Sequence, residues 1–371
     1  MCSCLCVYRS AIVAVSKLLI HQFRNIESAN VEFNPKTNII YGDNGSGKTS
    51  LLEALCFIGL GRSFRTHLTS RVVHHQHKEF ILYSELSDDF KTIPIGLQKS
   101  KNGDTILKID GAQYQKLSTL LHHLPLQIIT PESVDLLSGS PKNRRAFVDW
   151  GVFYHDVLFY ANWVRIKRLL KQRNAALKQC KTYKELQMWD NELCFLSDKI
   201  STQRQVYFDL LVPIINEMIA DFLPSVEVSC KLYYGWDPKN KPLSAYFEDN
   251  FSRELLLGYT TVGPQKADVR FKVDGFPIAD VLSRGQLKLF VYALRLAQGV
   301  FLNSLDRKQC VFLIDDFSSE LDSNKQAILA KHIKKSDAQL FITAIKKQSI
   351  DHLFQEDSSV FHVKQGVITK Q

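Results

Sequence analysis

Eight consecutive residues near the start of the chain have the types and the spacing to bind the phosphates of a nucleotide. They match the pattern G-x-x-x-x-G-K-[ST], in which glycines let backbone N–H groups surround the phosphates. Lys48 would reach the β- and γ-phosphates of ATP, and the Thr49 hydroxyl would bind Mg²⁺. The whole candidate ATP-binding loop consists of Gly42, Asp43, Asn44, Gly45, Ser46, Gly47, Lys48 and Thr49.

Two adjacent carboxylates form a second candidate site near the other end of the chain. The apolar run 310–314 is typical of a buried parallel strand, and Asp315 and Asp316 follow it directly. At the tip of such a strand Asp315 can hold Mg²⁺, so Thr49 and Asp315 are the predicted metal ligands. Asp316 stands where a catalytic base would orient the attacking water. Together with Lys48, these two carboxylates predict hydrolysis of ATP.

A third motif, Leu-Ser-Arg-Gly-Gln at 282–286, resembles the L-S-x-G-Q signature of ABC-type ATPases. A serine that opens a helix and the glycine that follows offer a hydroxyl and N–H groups to a γ-phosphate. The same serine would also serve as the N-cap of a helix that binds no ligand. In ABC-type ATPases the signature of one subunit completes the nucleotide site of another, so the resemblance implies an ATP-dependent homodimer. The candidate nucleotide contacts are Ser283, which would also act in catalysis, Gly285 and Gln286.

The segments around these motifs predict the elements that would position them. Residues 38–41 predict a strand before the phosphate-binding loop, and residues 50–55 predict a helix after it. Residues 339–343 form another candidate buried strand. Thr343 lies where many ABC-type ATPases have a histidine, so a hydroxyl would sense the γ-phosphate here. The sequence Ser-Glu-Leu-Asp at 319–322 resembles the D-loop of these ATPases.

A long insert, part of which is helical, separates the phosphate-binding loop from the signature. Apolar residues at helical spacing are Trp163, Ile166, Leu170, Leu177, Leu186, Trp189, Leu193, Leu196 and Ile200. These helices are expected to be far shorter than the coiled-coil arms of SMC proteins. Strand and loop structure is expected over 226–276. We predict an α/β fold in which an ABC-type ATPase head (a P-loop NTPase), residues 16–140 and 260–371, carries a mainly helical inserted subdomain at 141–259. Residues 1–15 are predicted to be a non-structural N-terminal extension.

The composition is that of a globular protein with a basic balance. Of the 371 residues, 45% are hydrophobic and 23% are charged, and the net charge of +9 favours polyanionic partners. No apolar run reaches the length of a membrane span, so no membrane partner is expected. Five of the 8 cysteines are scattered, as expected for the reduced thiols of a cytoplasmic protein. The others, Cys2, Cys4 and Cys6, crowd into the N-terminal extension without the spacing of a metal site.

Longer segments resemble one family, RecF, which belongs to the SMC/ABC ATPase superfamily. The matching segments run through nearly the whole chain, at 23–25, 42–49, 51–54, 61–65, 131–132, 139–141, 144–149, 172–177, 189–190, 261–264, 283–286, 315–316 and 319–322. The Ser-Arg-Gly-Gln form of the signature and the paired aspartates are more specific than a generic ABC motif. Three residues depart from the family pattern. Asp43 stands where the family usually has glutamate, and Gln265-Lys266 stands where it usually has His-Arg.

The resemblance implies an ATP-dependent DNA-binding protein of recombinational repair and replication restart. Such proteins bind single-stranded DNA, gapped DNA and single-strand/double-strand junctions as an ATP-closed dimer. With RecO and RecR partners they help to load recombinase onto single strands, and they support induction of the SOS response. Their ATPase is slow and DNA-stimulated, and it serves as a switch rather than as a motor.

Several basic residues are candidates for contact with DNA. Arg62 and Arg65 flank an aromatic residue, an arrangement suited to phosphate and stacking contacts. They could instead contact the nucleotide, because they follow the helix after the phosphate-binding loop. Arg144 and Arg145 begin a helix-like segment, and Arg173 belongs to the helical insert. Each cluster could equally be a solvated helix face or part of an ion pair. Because the sequence shows no motif that reads bases, we expect the protein to contact mainly the phosphate backbone of DNA. Binding should therefore be sensitive to salt.

Other functions share these motifs and remain alternatives. The ATPase subunit of an ABC transporter would have the loop, the signature and the acidic strand end, but it would be shorter. Asp316, Thr343 and the helical insert argue against it. An SMC-like structural clamp would have long coiled-coil arms. A small-molecule kinase would leave Ser283 without a role.

Overall fold

A computed structural model describes residues 14–87, 91–305, 309–319, 321–354 and 357–371. The strands of this part of the chain are β1 (Ala14–Phe23), β2 (Ile26–Glu32), β3 (Thr37–Tyr41), β4 (Glu79–Ser87), β5 (Thr92–Ser100), β6 (Thr105–Ile109), β7 (Ala112–Tyr114), β8 (Leu126–Ile129), β9 (Ser229–Tyr233), β10 (Asp268–Val273), β11 (Phe276–Pro277), β12 (Val311–Ile314), β13 (Gln339–Ala344), β14 (Ser358–Lys364) and β15 (Val367–Lys370). The helices are α1 (Lys48–Leu60), α2 (Asp135–Ser138), α3 (Pro141–His155), α4 (Phe159–Leu177), α5 (Gln187–Phe222), α6 (Leu243–Asp249), α7 (Phe251–Leu257), α8 (Ile278–Val281), α9 (Arg284–Ser304) and α10 (Ser323–Lys335).

The chain divides into two compact units. One contains the chain up to Ser133 together with Tyr292–Gln371, and the other contains Val134–Val291. The domain boundaries expected from the sequence remain predictions, because a compact unit is not by itself an independently folding domain. Among the described residues, no helix combines the length and the apolarity needed to cross a membrane.

The N-terminal extension expected from the sequence is only partly covered by the structure. Its cysteines, Cys2, Cys4 and Cys6, lie outside the described residues. Strand β1 begins at Ala14, earlier than the fold start expected at residue 16. Val15 is fully buried, so the first described residues already contribute to the core.

One sheet of the first unit is antiparallel, with the strand order β2-β1-β4-β5-β6-β7 in the described part of the chain. Its long strands alternate buried and accessible residues, as in β4, because only one face of such a sheet packs on the core. A turn of two residues joins β1 to β2, and Phe23 pairs with Ile26 across it.

The other sheet of the first unit is mostly parallel and has the order β15-β14-β3-β13-β12-β8 in the described residues. Strands β14, β3, β13, β12 and β8 run parallel, and β15 is an antiparallel edge strand. All residues of β12 and β13 are buried. Their nearly continuous apolar sequences follow from this burial on both faces.

Helix α1 packs between these two sheets, against β1 and β4 of one and against β8 and β13 of the other. Every residue from Ser50 to Gly59 is buried, so the helix is enclosed on all sides. Its first two residues, Lys48 and Thr49, are the last two of the phosphate-binding loop. The core of the unit therefore fixes the direction in which the loop is presented.

The second unit contains the helical insert and a small antiparallel sheet of β9, β10 and β11. Helices α4 and α5 contain the residues at predicted helical spacing except Leu186, which directly precedes α5. Helix α3 packs on α5 through Gly151, where a Cβ atom would lie 1.9 Å from the ring of Tyr207. The segment 226–276, expected to be strand and loop, also contains the short helices α6 and α7.

Candidate nucleotide-binding site

The phosphate-binding loop, the aspartate pair and Thr343 all lie at the carboxyl ends of parallel strands. Strand β3 ends at Tyr41, directly before the loop, and β12 ends at Ile314, directly before the aspartates. Strand β13 lies between them and contains Thr343. Ligands of open α/β sheets bind at the carboxyl ends of the strands. The sheet therefore gathers three motifs that are distant in sequence at a place suited to a ligand.

Asp315 connects the loop to β13 through two hydroxyl groups. Thr49 Oγ1 donates to both carboxylate oxygens, at 3.0 Å to Oδ2 and at 3.2 Å to Oδ1. Thr343 Oγ1 donates to Oδ1 at 2.6 Å. Burial raises the pKa of Asp315, and the two hydroxyl donors oppose this rise. The two predicted metal ligands, Thr49 and Asp315, are thus in direct contact.

Thr343 also holds the backbone of Asp316. Its Oγ1 accepts a hydrogen bond from the Asp316 N–H at 2.8 Å while it donates to Asp315. Asp316 has a φ of +53°, in the left-handed region that few non-glycine residues adopt. Such a conformation persists only where its surroundings fix it. The buried Thr343 therefore forms hydrogen bonds with both Asp315 and Asp316. This structural role is additional to the γ-phosphate sensing, which stays a prediction from the sequence.

The ammonium group of Lys48 lies against the start of its own loop. Nζ donates to the carbonyl oxygens of Gly42 at 2.7 Å and of Asp43 at 2.9 Å. Burial lowers the pKa of Lys48, and the nearby aspartate carboxylates oppose that shift. The ammonium group of Lys48 is thus bound to two backbone carbonyl oxygens. Phosphate oxygens can replace these carbonyls as its hydrogen-bond acceptors.

Two loop positions require glycine because of their backbone. Gly42 has a φ of +154°, and a Cβ atom there would lie 2.2 Å from the carbonyl oxygen of Val363. Gly47, with a φ of +120°, adopts a conformation that side chains disfavour directly before α1. The glycines of the motif are thus explained by close approach and by turn geometry.

Asn25 lies in the β1–β2 turn and holds the phosphate-binding loop in place. In the sequence this residue stood out only as part of a segment that resembles a known family. Its Nδ2 donates to the carbonyl oxygens of Ser46 at 3.2 Å and Gly45 at 3.4 Å. Its Oδ1 accepts from Ser50 Oγ at 2.8 Å. A second brace comes from the Gly366 N–H, which donates to the Ser46 carbonyl at 2.7 Å. The loop is therefore held in shape by residues on both sides of it in sequence.

These residues fit a nucleotide polyphosphate with a divalent cation. Ser46 Oγ is buried without a hydrogen-bond partner among the described residues, and the space beside Gly45 is open. Helix α1 begins at Lys48, so its first N–H groups and the positive end of its dipole are available to an anion. Thr49 and Asp315 offer the oxygen ligands that Mg²⁺ prefers.

A buried phenol near the aspartates was not indicated by the sequence motifs. Tyr292 is fully buried, and its hydroxyl has no hydrogen-bond partner among the described residues. Burial raises the pKa of Tyr292, and the charges of Asp316 and Asp315 raise it further. A single tyrosine within the apolar run of α9 was the only sequence signal for this group.

The signature residues lie at the start of α9 in the second unit. Ser283 is exposed, and its Oγ accepts from the Gln286 N–H at 3.4 Å. Gln286 Oε1 in turn accepts from the Ser283 N–H at 2.9 Å, which completes a capping box. The capping hydroxyl accepts this bond and keeps its own O–H as a donor, so capping and a nucleotide contact are compatible. Gly285 is half-buried beside them.

The segment after the aspartates resembles a D-loop in sequence and leads into α10. Asp322 caps this helix, because its Oδ1 accepts from the Lys325 N–H at 2.9 Å. Ser319 Oγ donates to the Asp316 carbonyl at 3.1 Å. Glu320 lies outside the described residues.

The arginines considered for DNA contact differ in exposure. Arg62 and Arg65 are exposed. Arg144 Nε donates to Asp268 Oδ1 at 2.7 Å, and its side chain is only 13% exposed. Arg145 is half-buried and donates to a backbone carbonyl at 2.7 Å. Only the first pair therefore presents freely accessible guanidinium groups.

Arg173 is fully buried in the second unit. Its Nε donates to Asp190 Oδ1 at 2.5 Å, and its Nη1 donates to Glu254 Oε2 at 2.5 Å. Thr260 Oγ1 accepts from Nη1 at 2.9 Å, and the ring of Phe247 lies 4.4 Å from the guanidinium carbon. A DNA contact would require these bonds to break. The structure therefore gives Arg173 a role in the core of this unit instead of the DNA contact considered from the sequence.

Comparison with known proteins gives close relatives over almost the full length. Residues 14–369 match the family model described as RecF/RecN/SMC N terminal domain. The chain is 66% identical over 357 residues to the DNA replication and repair protein RecF of Psychromonas ingrahamii, which covers 96% of this chain and 99% of that protein. It is 45% identical over 356 residues to the protein of the same name from Haemophilus influenzae, at 96% and 99% coverage.

Solved structures show the same fold. The recombination mediator protein RecF-ATP in the RecFOR pathway superposes with a TM-score of 0.86 at 24% identity, covering 98% of this chain and 99% of that chain. An Smc head bound to the C-winged helix domain of ScpA superposes with a TM-score of 0.60 at 15% identity, at 96% and 97% coverage. This likeness confirms the predicted α/β fold of an ABC-type ATPase head.

Proposed function

The chain belongs to the RecF family of DNA replication and repair proteins, and we propose that it works as an ATP-dependent switch on DNA. The contact between Thr49 and Asp315 carries the ATP part of this proposal. It joins the phosphate-binding loop to the acidic strand end, as binding of a nucleotide with its cation requires. Close relatives named for DNA replication and repair support the DNA part.

Each residue of the site has a distinct task in this proposal. ATP with Mg²⁺, when bound, supplies the γ-phosphate whose presence distinguishes the two states of the switch. Lys48 binds and orients the phosphates, while Thr49 and Asp315 hold the cation. Asp316 orients the attacking water and accepts its proton. Thr343 keeps both carboxylates in place through its two hydrogen bonds. Hydrolysis is slow and DNA-stimulated, so it resets the switch.

DNA is the proposed macromolecular partner, in single-stranded, gapped or junction form. The net charge of +9 and the exposed Arg62 and Arg65 support a contact with the phosphate backbone. The RecFOR pathway named for the solved relatives supports RecO- and RecR-type mediator proteins as further partners. With them the protein would help to load recombinase and support SOS induction in the cytoplasm.

The active form in this proposal is a homodimer closed by ATP. Ser283, Gly285 and Gln286 of one copy would complete the phosphate site of the other. Exposure of Ser283 and the N–H groups at the start of α9 support this role.

Two of the alternative functions, the ABC transporter ATPase subunit and the SMC-like clamp, are not favoured. An ABC transporter ATPase subunit would not share nearly its whole length with proteins named for DNA replication and repair. An SMC-like clamp would need long arms, and the longest helix among the described residues is α5, with 36 residues.

Nucleotide and DNA binding by wild-type and Lys48→Arg proteins test this function together. The arginine keeps the charge but misplaces it against the β- and γ-phosphates. We expect ATP hydrolysis to fall by about 100-fold or more, with the fold intact. ATP-dependent retention on gapped DNA should fall in parallel.

The control is Lys36→Arg, whose lysine pairs with Asp357 at the surface of the same unit. This variant should behave as wild type. If Lys48→Arg hydrolyses ATP at a rate within about twofold of wild type, the phosphate-binding loop does not have the proposed role in hydrolysis. If wild-type protein binds ATP but none of the DNA forms, the DNA part of the proposed function is wrong and only the ATPase part stands.

A further inference from the structure

The two-residue turn between β1 and β2 touches two parts of the ATP site at once. Asn25 braces the phosphate-binding loop, as described above. Its neighbour Arg24 points to the helix that follows the loop, α1. Arg24 has a φ of +55°, a conformation that costs free energy in a non-glycine residue and persists where its contacts fix it. The contacts of the Arg24 side chain explain why the turn keeps this shape.

Arg24 forms a two-point ion pair with Glu53 in the middle of α1. Nε donates to Oε2 at 2.8 Å, and Nη2 donates to Oε1 at 2.6 Å. The third nitrogen, Nη1, donates to the Arg71 carbonyl at 2.5 Å. Glu53 is fully buried. A buried carboxylate without its partners would be strongly unfavourable, so this helix and this turn are held together.

The same carboxylate also holds the segment that follows α1. Ser63 Oγ donates to Glu53 Oε1. The Ser63 hydroxyl in turn accepts from the N–H groups of Arg65 at 2.9 Å and of Thr66 at 3.0 Å. We call residues 62–66 the arginine loop, because it carries the exposed Arg62 and Arg65. The Ser63 hydroxyl therefore ties two N–H groups of this loop to Glu53.

A chain of hydrogen bonds, joined at one step by the peptide bond between Arg24 and Asn25, thus connects the phosphate-binding loop to the arginine loop. It runs from the Ser46 carbonyl through the Arg24–Asn25 turn and Glu53 to Ser63. All of its members lie in the first unit.

We propose that Arg24, Glu53 and Ser63 are positioning residues that couple the arginine loop to the nucleotide site. When phosphates bind in the phosphate-binding loop, they tighten the Arg24–Asn25 turn. Through Glu53, this change orders the arginine loop so that it binds a DNA strand. By reciprocity, a strand bound at the arginine loop favours the nucleotide-bound form of the site. The coupling rests on the proposed function, since it needs ATP at one end and DNA at the other.

Ser63→Ala is the variant that cuts the chain with the least change in volume. It removes the hydroxyl that joins Glu53 to the two loop N–H groups and leaves the Arg24–Glu53 ion pair in place. Ser63→Thr keeps a hydroxyl and should restore the behaviour of wild type. Thr66→Ala is the matched control. Its hydroxyl accepts from the Leu68 N–H at 3.1 Å in the same region and, within the described part of the chain, makes no hydrogen bond to Glu53.

Two measurements on the full-length protein report the coupling. The first is hydrogen exchange of the Arg65 and Thr66 amides with and without ATP, which requires no DNA. The second is the ratio of ATPase rates with and without gapped DNA. In wild type, Ser63→Thr and Thr66→Ala we expect ATP to slow amide exchange and DNA to stimulate hydrolysis. In Ser63→Ala we expect both effects to shrink by about fivefold or more, with the basal KM for ATP unchanged within about twofold.

A second variant covers the case in which Ser63→Ala fails to fold. Arg24→Lys keeps the charge but loses the two-point contact with Glu53, and it should weaken the same two responses. Wild-type protein that binds ATP without any change in Arg65 and Thr66 exchange would overturn the coupling and leave the ATP switch intact. Full DNA stimulation in Ser63→Ala would also overturn it. Failure of wild type to bind ATP would instead overturn the proposed function and the coupling with it.

Discussion

Asp315 faces opposite requirements for stability and for function. Because burial raises its pKa in the folded protein, its ionised form is less favourable there than in the unfolded chain. The wild-type protein should therefore gain stability from this group as the pH falls through the raised pKa. In the proposed function this carboxylate is needed to hold the cation. Carboxylates at functional sites commonly lower stability in this way.

Asp315→Asn should make the nucleotide-free protein more stable and less able to retain nucleotide. We expect the free energy of unfolding at neutral pH to rise by about 1 kcal/mol, and Mg²⁺-dependent ATP binding to weaken. Denaturant unfolding over a pH series checks the sign, because the variant should lack the gain of wild type towards acidic pH. A variant less stable than wild type at neutral pH would contradict this account of Asp315.

Asp316→Asn should separate ATP binding from hydrolysis. The amide keeps the size of the side chain and tolerates the left-handed backbone, but it cannot accept a proton from water. We expect ATP binding to persist while single-turnover hydrolysis slows by about 100-fold, which would trap the ATP-bound form. Asp337→Asn is the control, because Asp337 also has a positive φ, +46°, but lies exposed after α10. Unchanged turnover in Asp316→Asn would assign the base role to another residue.

At the scale of elements, the ATP site was predictable where local sequence fixes the structure. The predicted strands at 38–41, 310–314 and 339–343 match β3, β12 and β13, because strands buried on both faces read as apolar runs. The helix predicted at 50–55 lies within α1. Helices α6 and α7 were missed because seven residues hold too few turns to show a helical period.

What the sequence left open was the pairing of polar groups between distant elements. Arg173 was a candidate for DNA contact because its charge suggests exposure. Its partners Asp190 and Glu254 lie 17 and 81 residues away, so no local pattern indicates that they meet. The same holds for Asn25, which bonds to the carbonyls of Gly45 and Ser46 across 20 and 21 residues of sequence.

The buried ion pairs of Arg173 should be essential to the second unit. Arg173→Met would leave two carboxylates without their cation in a buried site, and we expect a loss of about 3–5 kcal/mol in the free energy of unfolding. Arg165→Met is a matched control on the same helix, α4, because Arg165 is 63% exposed in its pair with Glu192. Its effect should stay below about 1 kcal/mol. Denaturant unfolding measures both, and equal effects would contradict the structural role of Arg173.

At the scale of the whole molecule, one chain carries two halves of different nucleotide sites in the proposed dimer. Lys48 would bind ATP within its own subunit, and Ser283 would act on the ATP of the other. Ser283→Arg should therefore leave ATP binding to the monomer nearly intact and block ATP-driven dimerisation, since its bulk and charge would fill the place of the partner's γ-phosphate. Lys48→Met should fail to dimerise because it does not hold the phosphates. ATP-dependent retention on DNA should fall in both variants.

A mixture of the two variants tests whether the site is shared. In a dimer of one Ser283→Arg subunit and one Lys48→Met subunit, one composite site loses both groups while the other keeps both. The mixture should therefore show some ATP-dependent dimerisation that neither variant shows alone. Sedimentation of each variant and of the mixture, with and without ATP, measures this directly. Two variants that are equally defective alone and together would mean that Ser283 and Lys48 serve the same subunit. Normal ATP-driven dimers from Ser283→Arg alone would refute the shared site, because the signature would then have no place between the subunits.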